Sequence, residues 1–215
     1  MLKNKAININ QSCIQNKREM FMIKGVIGAV LLLGAINTAQ AGVFIGTTYG
    51  WTSSDIENAK IDDKVPNLDY EDSIKTEETL GVRVGGDFDF MRVYVSYDRA
   101  SSDFHGKNTQ QNLLFSADYM YPVEQNTRLF AGLTVGATKL ENDSATYYGY
   151  KYDSYSKSYG GQLGMIYDFE GWQLEGGYRI LKHSTYEKSD EKGASDYFPT
   201  LNKSDQFYMA LNYRF

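Results

Sequence analysis

The sequence predicts an all-β protein, an eight-stranded antiparallel up-and-down transmembrane β-barrel preceded by a signal peptide. Three observations carry this. Eight segments alternate apolar and polar residues with period two, the pattern of strands with unlike faces. The connections between them alternate short and long, as in barrels that cross a membrane. The chain also finishes on an uncovered aromatic, QFYMALNYRF, with a large apolar or aromatic side chain at every second position back from the end.

The leader comes first. Gly25 to Ile36 is the one continuous apolar run, and it is shorter than the ~20 residues a spanning helix needs. Lys24 precedes it and Asn37-Thr38-Ala39-Gln40-Ala41 follows, so residues 1–41 read as a secretory signal peptide cleaved after Ala41, with residues 42–215 as the barrel. Met22 opens a compact leader of its own, which leaves two candidate starts, Met1 and Met22. The single cysteine, Cys13, falls in the leader, so the exported part carries neither thiol nor disulfide. The whole chain of 215 residues has a net charge of −5. Losing Lys3, Lys5, Lys17, Arg18 and Lys24 against Glu19 makes the remainder more acidic still, which disfavours a nucleic-acid partner.

The strands follow in order. Val43–Trp51 places Val43, Ile45, Thr47, Tyr49 and Trp51 on one face. Thr79–Phe88 sets Leu80, Val82, Val84 and Phe88 against Arg83 and Asp87; Met91–Arg99 sets Met91, Val93, Val95 and Tyr97 against Arg92, Tyr94, Ser96 and Asp98. Asn112–Tyr121 sets Leu113, Phe115, Ala117, Tyr119 and Tyr121 against Asn112, Leu114, Ser116, Asp118 and Met120. Arg128–Lys139 opposes Leu129, Ala131, Leu133 and Val135 to Arg128, Phe130, Gly132 and Thr134. Ser158–Phe169 opposes Tyr159, Leu163, Met165 and Tyr167 to Gly160, Gln162, Gly164 and Asp168. Trp172–Lys182 opposes Trp172, Leu174, Tyr178 and Ile180 to Gln173, Glu175, Gly177 and Arg179, and the terminal segment is the eighth. The connections at 89–90, 122–127 and 170–171 are short; those near 54–77, 100–110, 140–157 and 183–204 are long and polar, and Pro66, Pro122 and Pro199 read as loop or turn residues.

The orientation of the faces decides the environment. A soluble barrel would hide Leu113, Phe115, Leu133, Val135, Leu163 and Ile180 in a small lumen and turn glycines and threonines to water. In lipid the apolar face turns outward, and a sheet must close because unpaired backbone groups there cost several kcal/mol each. Aromatics then fall at the two interfaces: Phe88, Tyr121, Phe169, Trp172, Tyr213 and Phe215 near the short turns, Trp51, Tyr97 and Tyr159 toward the other end.

Phe207, Met209, Leu211, Tyr213 and Phe215 resemble the carboxy-terminal signal of bacterial outer-membrane barrels, and residues 42–215 resemble the small eight-stranded type, the OmpA membrane domain and OmpX. The resemblance implies a Gram-negative outer membrane with both termini periplasmic. It also implies recognition of that signal by the barrel-assembly machinery, and contact with outer-membrane lipid and lipopolysaccharide.

By parity Arg83, Arg92, Asp98, Asp118, Arg128, Glu175, Arg179 and Arg214 point inward, with Arg83, Asp118 and Glu175 at similar height and Arg179 and Asp98 higher. A lumen of this size just fills with side chains. Two readings follow, a charge network that plugs the centre or a water-filled interior forming a narrow porin-like channel. His183-Ser184-Thr185, with Glu187 nearby, admits a second class, a lipid A-modifying enzyme of the deacylase kind. A surface histidine and a non-enzymatic chain is the reading adopted. His105 is isolated; with two histidines there is no metal-ligand spacing, and no cofactor is expected. Tyr147, Tyr148, Tyr150, Tyr152 and Tyr155 form a candidate partner-contact loop for a host surface protein, or else extend two strands and pair across them. The function expected is a structural envelope element that displays external loops, with adhesion or host-factor binding as its specific role.

Overall fold

The computed structural model describes residues 42–60, 73–102, 108–142, 152–187 and 197–215. The predicted leader, Pro66, His105 and residues 143–151 of the tyrosine-rich loop lie outside the described residues. Eight strands run in chain order: β1 Gly42–Lys60, β2 Ser73–Asp87, β3 Met91–Ser102, β4 Asn108–Glu124, β5 Thr127–Asn142, β6 Tyr152–Phe169, β7 Trp172–Glu187 and β8 Tyr197–Arg214. Each pairs antiparallel with the next, and β1 pairs with β8, so the sheet is a closed barrel with no edge. The last residue takes part in the closure, as the Phe215 N–H donates to the Val43 carbonyl at 2.8 Å.

The short turns gather at one end, here the turn end, and the longer connections at the other, the loop end. Between β6 and β7 the chain reverses at Glu170 and Gly171, both in the left-handed region at φ 45° and 85°. Two such residues in succession build the hairpin turn whose twist matches its strands.

The strands are longer than the alternation suggests. They extend 12 to 19 residues against the ~9–11 that cross hydrocarbon, and all four polar connections give up residues to them. Two expectations are corrected. Pro122 and Pro199 sit in β4 and β8 rather than in turns, opposite Arg128 and Asn58. Both lie near strand ends, Pro122 beside a register shift, where proline's missing N–H is tolerated.

The apolar face is outside: Leu133 is 73% exposed, and Leu80, Leu163 and Val135 are exposed with it. Aromatic contacts rim both ends. Trp172, Tyr213 and Phe215 meet edge-on near the turns, and Tyr49, Trp51 and Phe207 cluster further toward the loop end. The inside is less uniformly polar than the faces suggest. Phe44, Tyr94, Met120, Phe130, Ile166 and Tyr208 are all buried within it. Glycine makes the room. A side chain at Gly164 would overlap the Phe130 ring, and one at Gly177 the Tyr208 ring, so small and large residues alternate across paired strands to fill the taper.

Leu133→Arg places a guanidinium on the outward face in the middle of β5. It is expected to lower the unfolding free energy in lipid vesicles by about 2–4 kcal/mol, read from urea titration and heat-dependent gel mobility. An unchanged midpoint would mean that the outward face does not meet hydrocarbon.

Candidate functional site in the barrel interior

Alternation sends every second side chain inward, so eight strands deliver charged groups into a narrow, buried space. A lone charge there is costly, and it persists only if paired and hydrogen-bonded. The inward groups arrange themselves in tiers.

At the turn end Arg128 lies between two carboxylates. It donates twice to Asp87, at 2.9 and 2.9 Å, and to both oxygens of Asp168 at 2.9 and 3.0 Å. Gln173 donates to the same two acids. Arg214, expected inside, is instead at the rim with a side chain 43% exposed, 3.8 Å from Asp87. It is the last residue of β8, where parity no longer confines a long side chain.

The middle tier centres on Glu175. Arg83 donates to both its oxygens, at 2.9 and 2.5 Å; Arg92 donates to it at 2.6 Å and the Tyr208 hydroxyl at 2.9 Å. Arg92 also holds Asp118 at 2.7 Å, so Glu175 and Asp118 are bridged by one guanidinium and Arg83 does not touch Asp118. All four charged side chains are at most 1% exposed. The Arg92 guanidinium also packs near the faces of Tyr94 and Phe130, 5.0 and 5.1 Å from their centroids. Asp118 leans over Gly132 on β5, where any side chain would collide with its carboxylate.

Arg179 and Asp98 form a separate pair at 2.9 Å, and Arg179 also donates to Gln162 and Gln206. Gln162 ties this pair to the middle tier through hydrogen bonds to Tyr94 and Asp118. Toward the loop end the charges give way to hydroxyls and amides. Ser54 donates to Gln110, Gln110 to Asn112 and Thr138 to Asn112; Thr138 meets Ser158, and Ser158 meets His183. His183 reaches Ser204 on its other ring nitrogen at 2.7 Å, and Ser204 faces Ser54 across the closure of β8 on β1.

The structure thus gathers Arg83, Arg92, Asp118 and Glu175 in one cluster, Arg179 and Asp98 in a second, and Arg128 in a third with partners not singled out from sequence: Asp87 and Asp168. Parity marks both as inward, so the signal was present; that Arg128 joins Asp168 of neighbouring β6 to Asp87 of non-adjacent β2 was not. Tyr94, Tyr208 and Gln162, which link the clusters, carry the same signal. His183, read as a surface residue, is buried at 8% exposure because its parity is inward, while Ser184 faces out. Both imidazole nitrogens bond hydroxyls and neither bonds a carboxylate among the described residues. Phe207, Met209, Leu211, Tyr213 and Phe215 all face outward and are exposed. Tyr152 and Tyr155 belong to β6, opposite Asn142 and Lys139, with the Lys139 ammonium 5.8 Å from the Tyr155 ring centroid; Tyr147, Tyr148 and Tyr150 lie outside the described residues.

No family model matches the chain, and no curated protein sequence matches it. Among solved structures it resembles outer membrane protein H (OprH) from P. aeruginosa, studied in DHPC micelles, at 34% identity and a TM-score of 0.52, over 81% of this chain and 100% of OprH. It also resembles Neisserial surface protein A (NspA) at 13% identity and a TM-score of 0.58, over 80% of this chain and 97% of NspA, a likeness of fold alone.

Glu175→Gln leaves Arg83 and Arg92 without their shared anion and is expected to destabilise the barrel by about 3–5 kcal/mol. Glu141→Gln, in a partly exposed pair with Lys139, should cost less than ~1 kcal/mol. Equilibrium denaturation of both variants in one lipid checks the contrast.

Proposed function

The chain belongs to the family of small eight-stranded outer-membrane β-barrels, and we propose that within it the protein is a non-conducting, non-enzymatic envelope element whose loop end faces the exterior. The observation that carries this reading is the interior. Arg83, Arg92, Glu175 and Asp118 span the lumen from β2 to β7 with nearly no solvent exposure, and a small ion entering would have to displace hydrogen bonds held on both sides.

With the loop end outside, both termini lie on the periplasmic side, and the outward Phe207, Met209, Leu211, Tyr213 and Phe215 are available to the barrel-assembly machinery before insertion. The four long connections are then displayed to the surroundings. Adhesion to a host surface protein through the tyrosine-rich connection of residues 143–151 is the specific role we favour, supported by the tendency of tyrosine to serve as a contact residue. Lipopolysaccharide of the outer leaflet is the expected lipid neighbour of the loop end.

Planar-bilayer recording of the purified protein should show no steady large pore; a stable open conductance would replace the plugged reading with the channel. Deleting residues 143–151 should reduce host-cell binding, and undiminished binding would remove adhesion by that loop. Mass spectrometry of lipid A from cells with and without the gene should give the same species. A lost acyl chain would restore the deacylase reading.

A further inference from the structure

One inward carboxylate breaks the pattern of the others. Among the described residues Asp87, Asp98, Asp118, Asp168 and Glu175 each hold an arginine, at 2.5 to 2.9 Å. The sixth, Glu77 of β2, is 3% exposed. It has no cationic partner and no side-chain hydrogen bond among the described residues. Arg83, Arg92, Arg128 and Arg179 are spent on the other five acids, and His183 bonds hydroxyls on both nitrogens. A desolvated carboxylate without a counter-charge is costly.

The surroundings of Glu77 are neutral oxygens. Thr52 of β1 is its direct partner in register, and Thr79 lies two residues along on the same inward face. Their hydroxyls meet at 2.7 Å. Ser54, two residues beyond Thr52, donates to Gln110 Oε1 of β4 at 2.9 Å, reaching past β2 and β3. On β3 the residue opposite both Thr79 and Gln110 is Ala100, which adds little bulk and no polar side-chain atom. A hydroxyl that has given its hydrogen away presents only lone pairs. Ser54 is in that state, and so is one of the two threonines. The ladder of β1 on β2 also shifts register here, between Thr52 and Ser54. Such a bulge re-aims side chains and is common beside sites.

We propose that this bay holds an alkali metal cation, with Glu77 as its anionic ligand and Thr52, Thr79 and Ser54 as neutral oxygen ligands. One carboxylate among hydroxyls balances a single positive charge. Divalent ions are held by several carboxylates, and no group of three acidic or histidine side chains occurs among the described residues. The ion does for Glu77 what arginine does for the other five acids, and it clamps β1 to β2 where their register shifts. The inference goes beyond the envelope role and does not depend on which way the barrel faces. Glu77 lies on the loop-end side of the Glu175 tier, so the ion comes and goes at that end without crossing the plug.

Urea titration of the folded barrel in phosphatidylcholine vesicles tests the site, in mildly alkaline buffer with KCl, NaCl or N-methyl-D-glucamine chloride at equal ionic strength. An alkali cation should lower the unfolding constant about tenfold relative to the bulky organic cation, as for an ion at roughly ten times its dissociation constant. Glu77→Gln should abolish the difference and Ser54→Ala should reduce it. Glu78→Gln, which changes the exposed, outward neighbour, should keep it. Equal stability in all three salts would overturn the proposal and leave a proton or a lysine as the counter-charge. A difference that persists in Glu77→Gln, or vanishes in Glu78→Gln, would overturn it by assigning the effect to surface charge. Heat-dependent gel mobility verifies that each variant is folded. Crystals of the wild type grown with thallium(I), a heavy stand-in for K⁺, give a reading that needs no variant. An anomalous peak against the Glu77 carboxylate is expected, and its absence would overturn the proposal.

Discussion

Closure of β1 onto β8 is the constraint on which the rest depends. Hydrocarbon offers no hydrogen-bond partner to a free N–H or C=O, so a sheet that meets it can have no edge. Closing at eight strands then settles the interior, because a barrel of that size encloses room for side chains and little else. Everything inside must fit together. That is why Phe130 lies over Gly164 and Tyr208 over Gly177, and why Asp118 sits where Gly132 leaves space.

The charges inside follow from the same closure. Desolvating an ion pair is expensive, and a buried pair adds little net stability compared with an apolar filling. The network makes more sense as a device of specificity. Glu175 joins β7 to β2 through Arg83 and to β3 through Arg92, and Arg92 continues to Asp118 on β4. A slip in the register of any of these strands by one residue would turn its charge to lipid, so the pairs penalise misassembled barrels heavily.

The two surfaces carry different chemistry. The inner one is an arrangement of paired charges and hydroxyls that ties distant strands to one register. The outer one is a lipid-facing wall with aromatic rims at both ends.

The alternation of side chains and of connection lengths determined, without any coordinates, the strand count, the antiparallel order and the face taken by residues within the strands, Arg214 at the end of β8 excepted. Arg83, Glu175 and Arg179 are legible as inward from parity alone, and so are Asp87, Asp168 and His183. Strand ends were less legible, because beyond the hydrocarbon nothing requires apolar residues, and β1 and β8 continue through polar sequence that resembles loop. Only the tertiary structure decided partners. Parity tells which way a side chain points, but barrel tilt and stagger set its height, and those depend on the register of all eight strands at once. The bridging of Glu175 to Asp118 by Arg92 and the enclosure of His183 by Ser158 and Ser204 arise between strands, where no local pattern records them.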